Sequence, residues 1–137
     1  MVRNITGLLL ELGTGFAFMG RQYHLAVSGK DFYIDLLFYN TRLSRYFVIE
    51  LKAGEFRPEY TGKLGFYVVA VDDLLRNEHD GPTVGLLLCK TKDNTIAEYS
   101  LRSTSAPIGV SAYRTADELP EEMRGILPTP EDIASRV

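Results

Sequence analysis

The chain has 137 residues, 45% hydrophobic and 24% charged, with a formal net charge of −3 and one cysteine. That length supports a single domain around one well-buried core, and the balance is that of a globular chain, not a disordered one. These figures exclude a global basic field that would draw the domain to nucleic acid and any internal disulfide. With no apolar run near ~20 residues they also exclude a membrane-spanning helix.

In chain order, residues 6–12 predict a short helix starting from a threonine cap, with Glu11 on it. Gly13-Thr14-Gly15 ends it; with no third glycine and no following Lys-Ser/Thr this is not a phosphate loop. Residues 16–19 are extended or a turn, and 21–27 predict a first strand. Ser28-Gly29-Lys30 turns that strand into a second over 31–39, and a polar loop leads to a third over 46–52. Pro58 suits a helix start, and apolar residues at Leu64, Tyr67, Val68, Val71 and Leu75 carry helical spacing to about Arg76. Residues 83–89 are a nearly continuous apolar run, a strand covered on both faces, with Cys89 as a core thiol. A short helix over 93–102 and a strand over 107–113 follow, and 114–137 is a proline-bearing peripheral tail with one or two short helices at most. The order helix, three strands, helix, strand predicts an α/β (α+β) sandwich around a mixed sheet, one domain over 1–137.

Chemistry concentrates on the second and third strands. Side chains alternate faces, which puts Asp35 with Tyr33, Leu37 and Tyr39, and Glu50 with Tyr46, Val48 and Lys52. If the short loop sets Tyr39 opposite Tyr46, Asp35 stands opposite Glu50 with Cβ atoms about 4.5–5.5 Å apart. Two carboxylates that close repel and need a compensating charge. Lys52 is one; a divalent cation is better, because hard cations take carboxylate oxygens. The plain alternative is a set of solvated charges on an exposed face, but these charges interrupt apolar strands instead of alternating along them. For Lys52 the alternative is a salt bridge to Glu50 or Asp35, expected whenever no metal is bound. Asp72 and Asp73 face different ways on a helix, His24 and His79 lie far apart with no zinc-like cluster, and no nucleophile elbow is visible.

Asp35 followed by Glu50-Leu51-Lys52 resembles the PD-(D/E)XK nuclease signature. The wider text is more specific: residues 15–22, 31–39, and Phe66-Tyr67 followed by 70–75 resemble the C-terminal nuclease domain of YhcG-type bacterial proteins, over nearly the whole chain. Lys63 and Gly65 stand where that family is more variable. The resemblance implies a restriction-endonuclease-like three-layer sandwich with core order αβββαβ. It implies a Mg²⁺-dependent endodeoxyribonuclease, with Mn²⁺ as a substitute. Asp35 and Glu50 would be the metal ligands, the Leu51 carbonyl would complete the inner shell, and Lys52 would orient water or stabilise the phosphate. Glu11 would reach the metal through water. Arg21, Gln22, Lys63 and Tyr67, with Tyr60, would line the substrate side; their ordinary readings are strand edge, helix surface and core tyrosine. The implied partner is DNA, branched or foreign, in repair, recombination or defence, in a bacterial cytoplasm and with no membrane. A homodimer and a further N-terminal domain in a longer parent protein stay open. The competing function is a catalytically silent nucleic-acid-binding or protein-interaction module on the same fold.

Overall fold

Three antiparallel strands open the described part of the chain, because three β-rich runs are joined by turns too short for anything else. The computed structural model describes residues 15–113 and Ile126. The helix expected over 6–12 with Glu11, and the expected tail other than Ile126, lie outside the described residues. Strand β1 is Phe16–Val27, β2 Lys30–Asn40 and β3 Arg45–Leu51. The segment 16–19 is extended and belongs to β1, separated from the rest by a bulge between Phe18 and Gly20. At the β2–β3 turn the Asn40 side chain accepts from the backbone N–H groups of Arg42 and Leu43, at 3.0 and 2.9 Å. That turn sets the register: Tyr39 pairs with Tyr46 and Leu36 with Ile49.

After β3 the chain crosses over through helix α1, Tyr60–Leu74, to β4, Val84–Cys89, and then through α2, Asn94–Arg102, to β5, Ile108–Ala112. Helix α1 starts two residues after Pro58; residues 57–61 form a tight turn in which Tyr60 N–H donates to the Arg57 carbonyl. Helix α2 is capped by Asp93, whose carboxylate accepts from Thr95 and Ile96 N–H. The sheet order is β1-β2-β3-β4-β5, antiparallel through β3 and parallel from β3 to β5. Parallel neighbours need such crossovers, and β4 is buried along its whole length as a doubly covered strand should be.

Both faces of the sheet are buried. One packs Leu37, Val48 and Leu87 against Leu64, Val68 and Val71 of α1; the other gathers Phe38, Phe47, Ile49, Leu86 and Leu88, with Ile126 against it. Helix α1 sits so close to β4 that a Cβ on Gly85 would lie 2.8 Å from Val68 and 3.0 Å from Leu64.

One expectation about β2 needs correction. Period-two alternation holds from Leu36 to Leu37 to Phe38 but fails at Asp35: Ile34 and Phe32 pack with Leu37 on the α1 side, although strict alternation would put Ile34 with Leu36. The neighbouring strand is irregular at the same level, since Gln22 adopts a left-handed φ of +48° and drops out of the β1–β2 pairing between Arg21 and Tyr23. The sheet is bent where the acidic residue sits.

Candidate active site

The β2–β3 ladder runs to Leu36–Ile49, and its next rung would be Asp35 opposite Glu50. Here the strands part and side chains take over the bonding. Asp35 N–H donates to Glu50 Oε1 at 3.3 Å, and Leu51 N–H donates to Asp35 Oδ2 at 2.9 Å. From the other side Gln22 Nε2 donates to Asp35 Oδ1 at 3.0 Å. Gln22, Asp35 and Glu50 therefore form one row across three strands, and both oxygens of Asp35 are oriented by N–H donors. The Lys52 N–H turns to Leu88 O of β4 at 2.9 Å. Backbone groups at this end of β3 thus alternate between their two neighbours.

The electrostatics of the row are unusual. Glu50 is only 2% exposed. Burial, and then the Asp35 charge, push its carboxyl from the ordinary 4.5 up to about 7, against smaller opposing effects of the Asp35 N–H, Lys63 and Lys52. Tyr67, buried, has its hydroxyl pushed up chiefly by burial and also feels Glu50 and Asp35. It lines the α1 wall of the site. Lys63 is exposed, with Nζ 5.6 Å from the Tyr67 ring centre.

The salt bridge expected for Lys52 does not form. Among the described residues its ammonium makes no ion pair with Asp35 or Glu50; it lies 4.7 Å from the centre of the Tyr60 ring. Arg21 is on the strand beside the row, but its guanidinium donates to Ile126 O at 2.7 Å and stacks over Phe18. Asp72 accepts from Thr83 N–H at 3.0 Å and Asp73 is exposed, so neither joins the site. His24 pairs with Asp31 at 2.7 Å, away from the row. Sequence reasoning undervalued Tyr60 and Gln22. The signal for Tyr60 was present, since Tyr60, Lys63 and Tyr67 share one helix face at spacings of three and four. Nothing in the sequence marks Gln22 as left-handed.

Among the described residues no group of three or more His, Cys, Asp or Glu side chains gathers to hold a metal. Two adjacent carboxylates, Glu50 buried and Asp35 half-buried, offer the hard oxygen donors that a divalent cation takes. A groove of about 680 Å³ along α2, lined by Lys92, Ala97, Leu101, Arg102 and Val110, touches none of these residues. The acids lie at the sheet end, where Glu50 is buried and Asp35 half-buried.

Comparison with known proteins fits this arrangement. The family described as YhcG PDDEXK nuclease domain matches residues 1–128. The chain belongs to that family. It is 32% identical over 124 residues to "Putative nuclease YhcG" of Escherichia coli (strain K12), covering 90% of this chain and 32% of that protein. The chain thus spans about a third of that relative's length. Two solved structures share the fold. A repair endonuclease from Pyrococcus abyssi has a TM-score of 0.52 at 16% identity, over 80% of this chain and 46% of that one. An EndoMS–dsDNA complex has a TM-score of 0.51 at 17% identity, over 80% of this chain and 43% of that one. The mixed five-stranded sheet with its two described helices is accordingly the restriction-endonuclease-like fold. Asp35, Glu50 and Lys52, which the sequence reading matched to the signature, lie on β2, at the end of β3 and one residue beyond it. No described helix is long and apolar enough to cross a membrane.

Proposed function

We propose that this domain hydrolyses DNA phosphodiester bonds with a bound divalent cation, Mg²⁺ in the cell and Mn²⁺ as a substitute. The observation that carries the reading is the parted end of β2 and β3, where Asp35 and Glu50 meet and, among the described residues, no lysine or arginine forms an ion pair with either. Asp35 and Glu50 hold the cation. The Leu51 carbonyl joins them, because the N–H and C=O of a strand residue face the same neighbour and the Leu51 N–H faces Asp35. When bound, the cation stabilises charge at phosphorus and makes water a nucleophile near neutral pH.

The chain's own groups do the rest. Gln22 and the Leu51 N–H fix the Asp35 carboxylate. The Lys52 ammonium, paired with neither Asp35 nor Glu50, stabilises negative charge on the attacked phosphate. Lys63 supplies a second cation on the α1 side, Tyr67 forms the wall beneath it, and Arg21 meets the strand flanking the cut. Glu11 adds a further carboxylate. With a net charge of −3 the domain relies on these local cations, not on a global field. The EndoMS neighbour was solved with double-stranded DNA, which supports DNA as the substrate class. The proposed setting is branched or foreign DNA, in repair, recombination or defence, in a bacterial cytoplasm; the fold neighbour described as a repair endonuclease supports repair, and the Escherichia coli relative supports a bacterial setting. Two-strand cleavage requires either a homodimer or successive nicks, and an N-terminal domain of a longer parent protein would add affinity.

The test is incubation of the 137-residue chain with supercoiled plasmid and with branched DNA, with and without Mg²⁺. Metal-dependent nicking is the expected result. No cleavage of either substrate, together with no Mg²⁺ or Mn²⁺ binding at millimolar concentration by calorimetry, overturns the reading in favour of a silent binding module.

A further inference from the structure

A lysine two residues from a buried glutamate, on the end of the same strand, would ordinarily fold back onto the carboxylate. Lys52 does not. Its Nζ lies 4.7 Å from the Tyr60 ring centre, within the ~6 Å at which an aromatic face attracts a cation. The ring is itself fixed. Tyr60 opens α1, its N–H donates to Arg57 O at 3.1 Å, and its edge meets the buried Phe56 at 6.3 Å and 79°. Phe56 in turn is pinned to β4's exit by its N–H donating to Thr91 O at 2.9 Å. A rigid path therefore runs from the sheet through Phe56 to Tyr60 and the ammonium.

We propose that Tyr60 is a positioning residue that holds the Lys52 ammonium off the Asp35–Glu50 pair, keeping the acids open to a divalent cation and the ammonium free for phosphate. The inference rests on the proposed metal site. It adds a residue outside the Asp…Glu-x-Lys signature whose role is to prevent an internal salt bridge. Without the ring the ammonium closes on the carboxylates, and an incoming cation must displace it. The competition is set by the cation–π attraction that is lost, so metal affinity falls about three- to tenfold. Tyr60 is partly exposed and packs at the edge of the core, and Tyr60→Leu keeps an apolar side chain there.

Five chains carry the test: wild type, Tyr60→Phe, Tyr60→Leu, Lys52→Met, and Tyr60→Leu combined with Lys52→Met, the last compared with Lys52→Met alone. Two readouts are used without substrate. One is the upfield ring-current displacement of the Lys52 side-chain protons in NMR spectra of the metal-free protein. The other is Mn²⁺ affinity by calorimetry. The expected result is that Tyr60→Phe keeps both, Tyr60→Leu loses the displacement and binds Mn²⁺ three- to tenfold more weakly, and the effect vanishes once Lys52 is Met. A loss of affinity that persists in the Lys52→Met background would assign Tyr60 a packing role and overturn the inference. So would equal affinity in wild type and Tyr60→Leu. Wild-type protein that binds no Mn²⁺ overturns the metal site itself, and this inference with it.

Discussion

The buried Glu50 carboxyl makes a prediction about stability that needs no substrate. Its carboxyl is held at about 7 in the folded chain against an ordinary 4.5, by burial first and the Asp35 charge second. A carboxyl raised on folding binds its proton more tightly in the native state. Its contribution to stability is therefore fully present below pH 4.5 and is lost as pH rises through about 7. At ~1.4 kcal/mol per pH unit between the two values, the loss at pH 8 is about 3 kcal/mol. Because Glu50 is 2% exposed, solvent screening takes little from that figure. Glu50→Gln keeps the shape and abolishes the titration. In EDTA at pH 8 it should be more stable than wild type by up to about 3 kcal/mol, or a melting point about 10 °C higher. The two should converge at pH 4.5. Thermal unfolding of both chains across pH 4.5–8 tests this, and comparing them cancels the titrating groups that do not interact with Glu50. A Glu50→Gln chain no more stable than wild type at pH 8 would refute the claim that Glu50 is a strained, under-neutralised acid.

Other expectations follow from the same contacts. Gln22→Ala removes the amide that orients Asp35 Oδ1 and should weaken Mn²⁺ binding about three- to tenfold, one hydrogen bond's worth, by calorimetry. Gly85→Ala places a methyl 2.8 Å from Val68 and 2.9 Å from Ile108, and such overpacking should lower stability by ~1–3 kcal/mol in urea unfolding. Cys89 is buried, with its thiol pushed up to about 12 mainly by burial. It should resist an aromatic disulfide reagent at pH 8 in the native chain and react only on unfolding.

The site's outline was legible in the sequence because it depends on counting. The short turn between Asn40 and Arg45 fixed Tyr39 opposite Tyr46, and four further steps put Asp35 opposite Glu50. Helix α1 announced its buried face through Leu64, Val68 and Val71, and Asp93 announced a helix start, as the cap and not as the first helical residue. Counting failed where the pleat is not regular. Alternation could not foresee that β2 bends at Asp35, that Gln22 turns left-handed beside it, or that side chains replace the ladder there. The Lys52–Tyr60 contact was out of reach for another reason. It depends on how α1 docks against the sheet end, and the nearer partner in sequence, Glu50, was the wrong one.

The central claim is that Asp35, Glu50 and Lys52 form a cation-dependent phosphodiesterase site. The most direct measurement is conversion of supercoiled plasmid to nicked circles by EDTA-stripped protein after Mg²⁺ is restored, for wild type beside folded Asp35→Ala, Glu50→Ala and Lys52→Ala. The account predicts nicking by wild type and at least a hundredfold loss in each variant, the ~3 kcal/mol that electrostatic groups at such a centre typically supply. Nicking at the wild-type rate by Asp35→Ala and Glu50→Ala would contradict it.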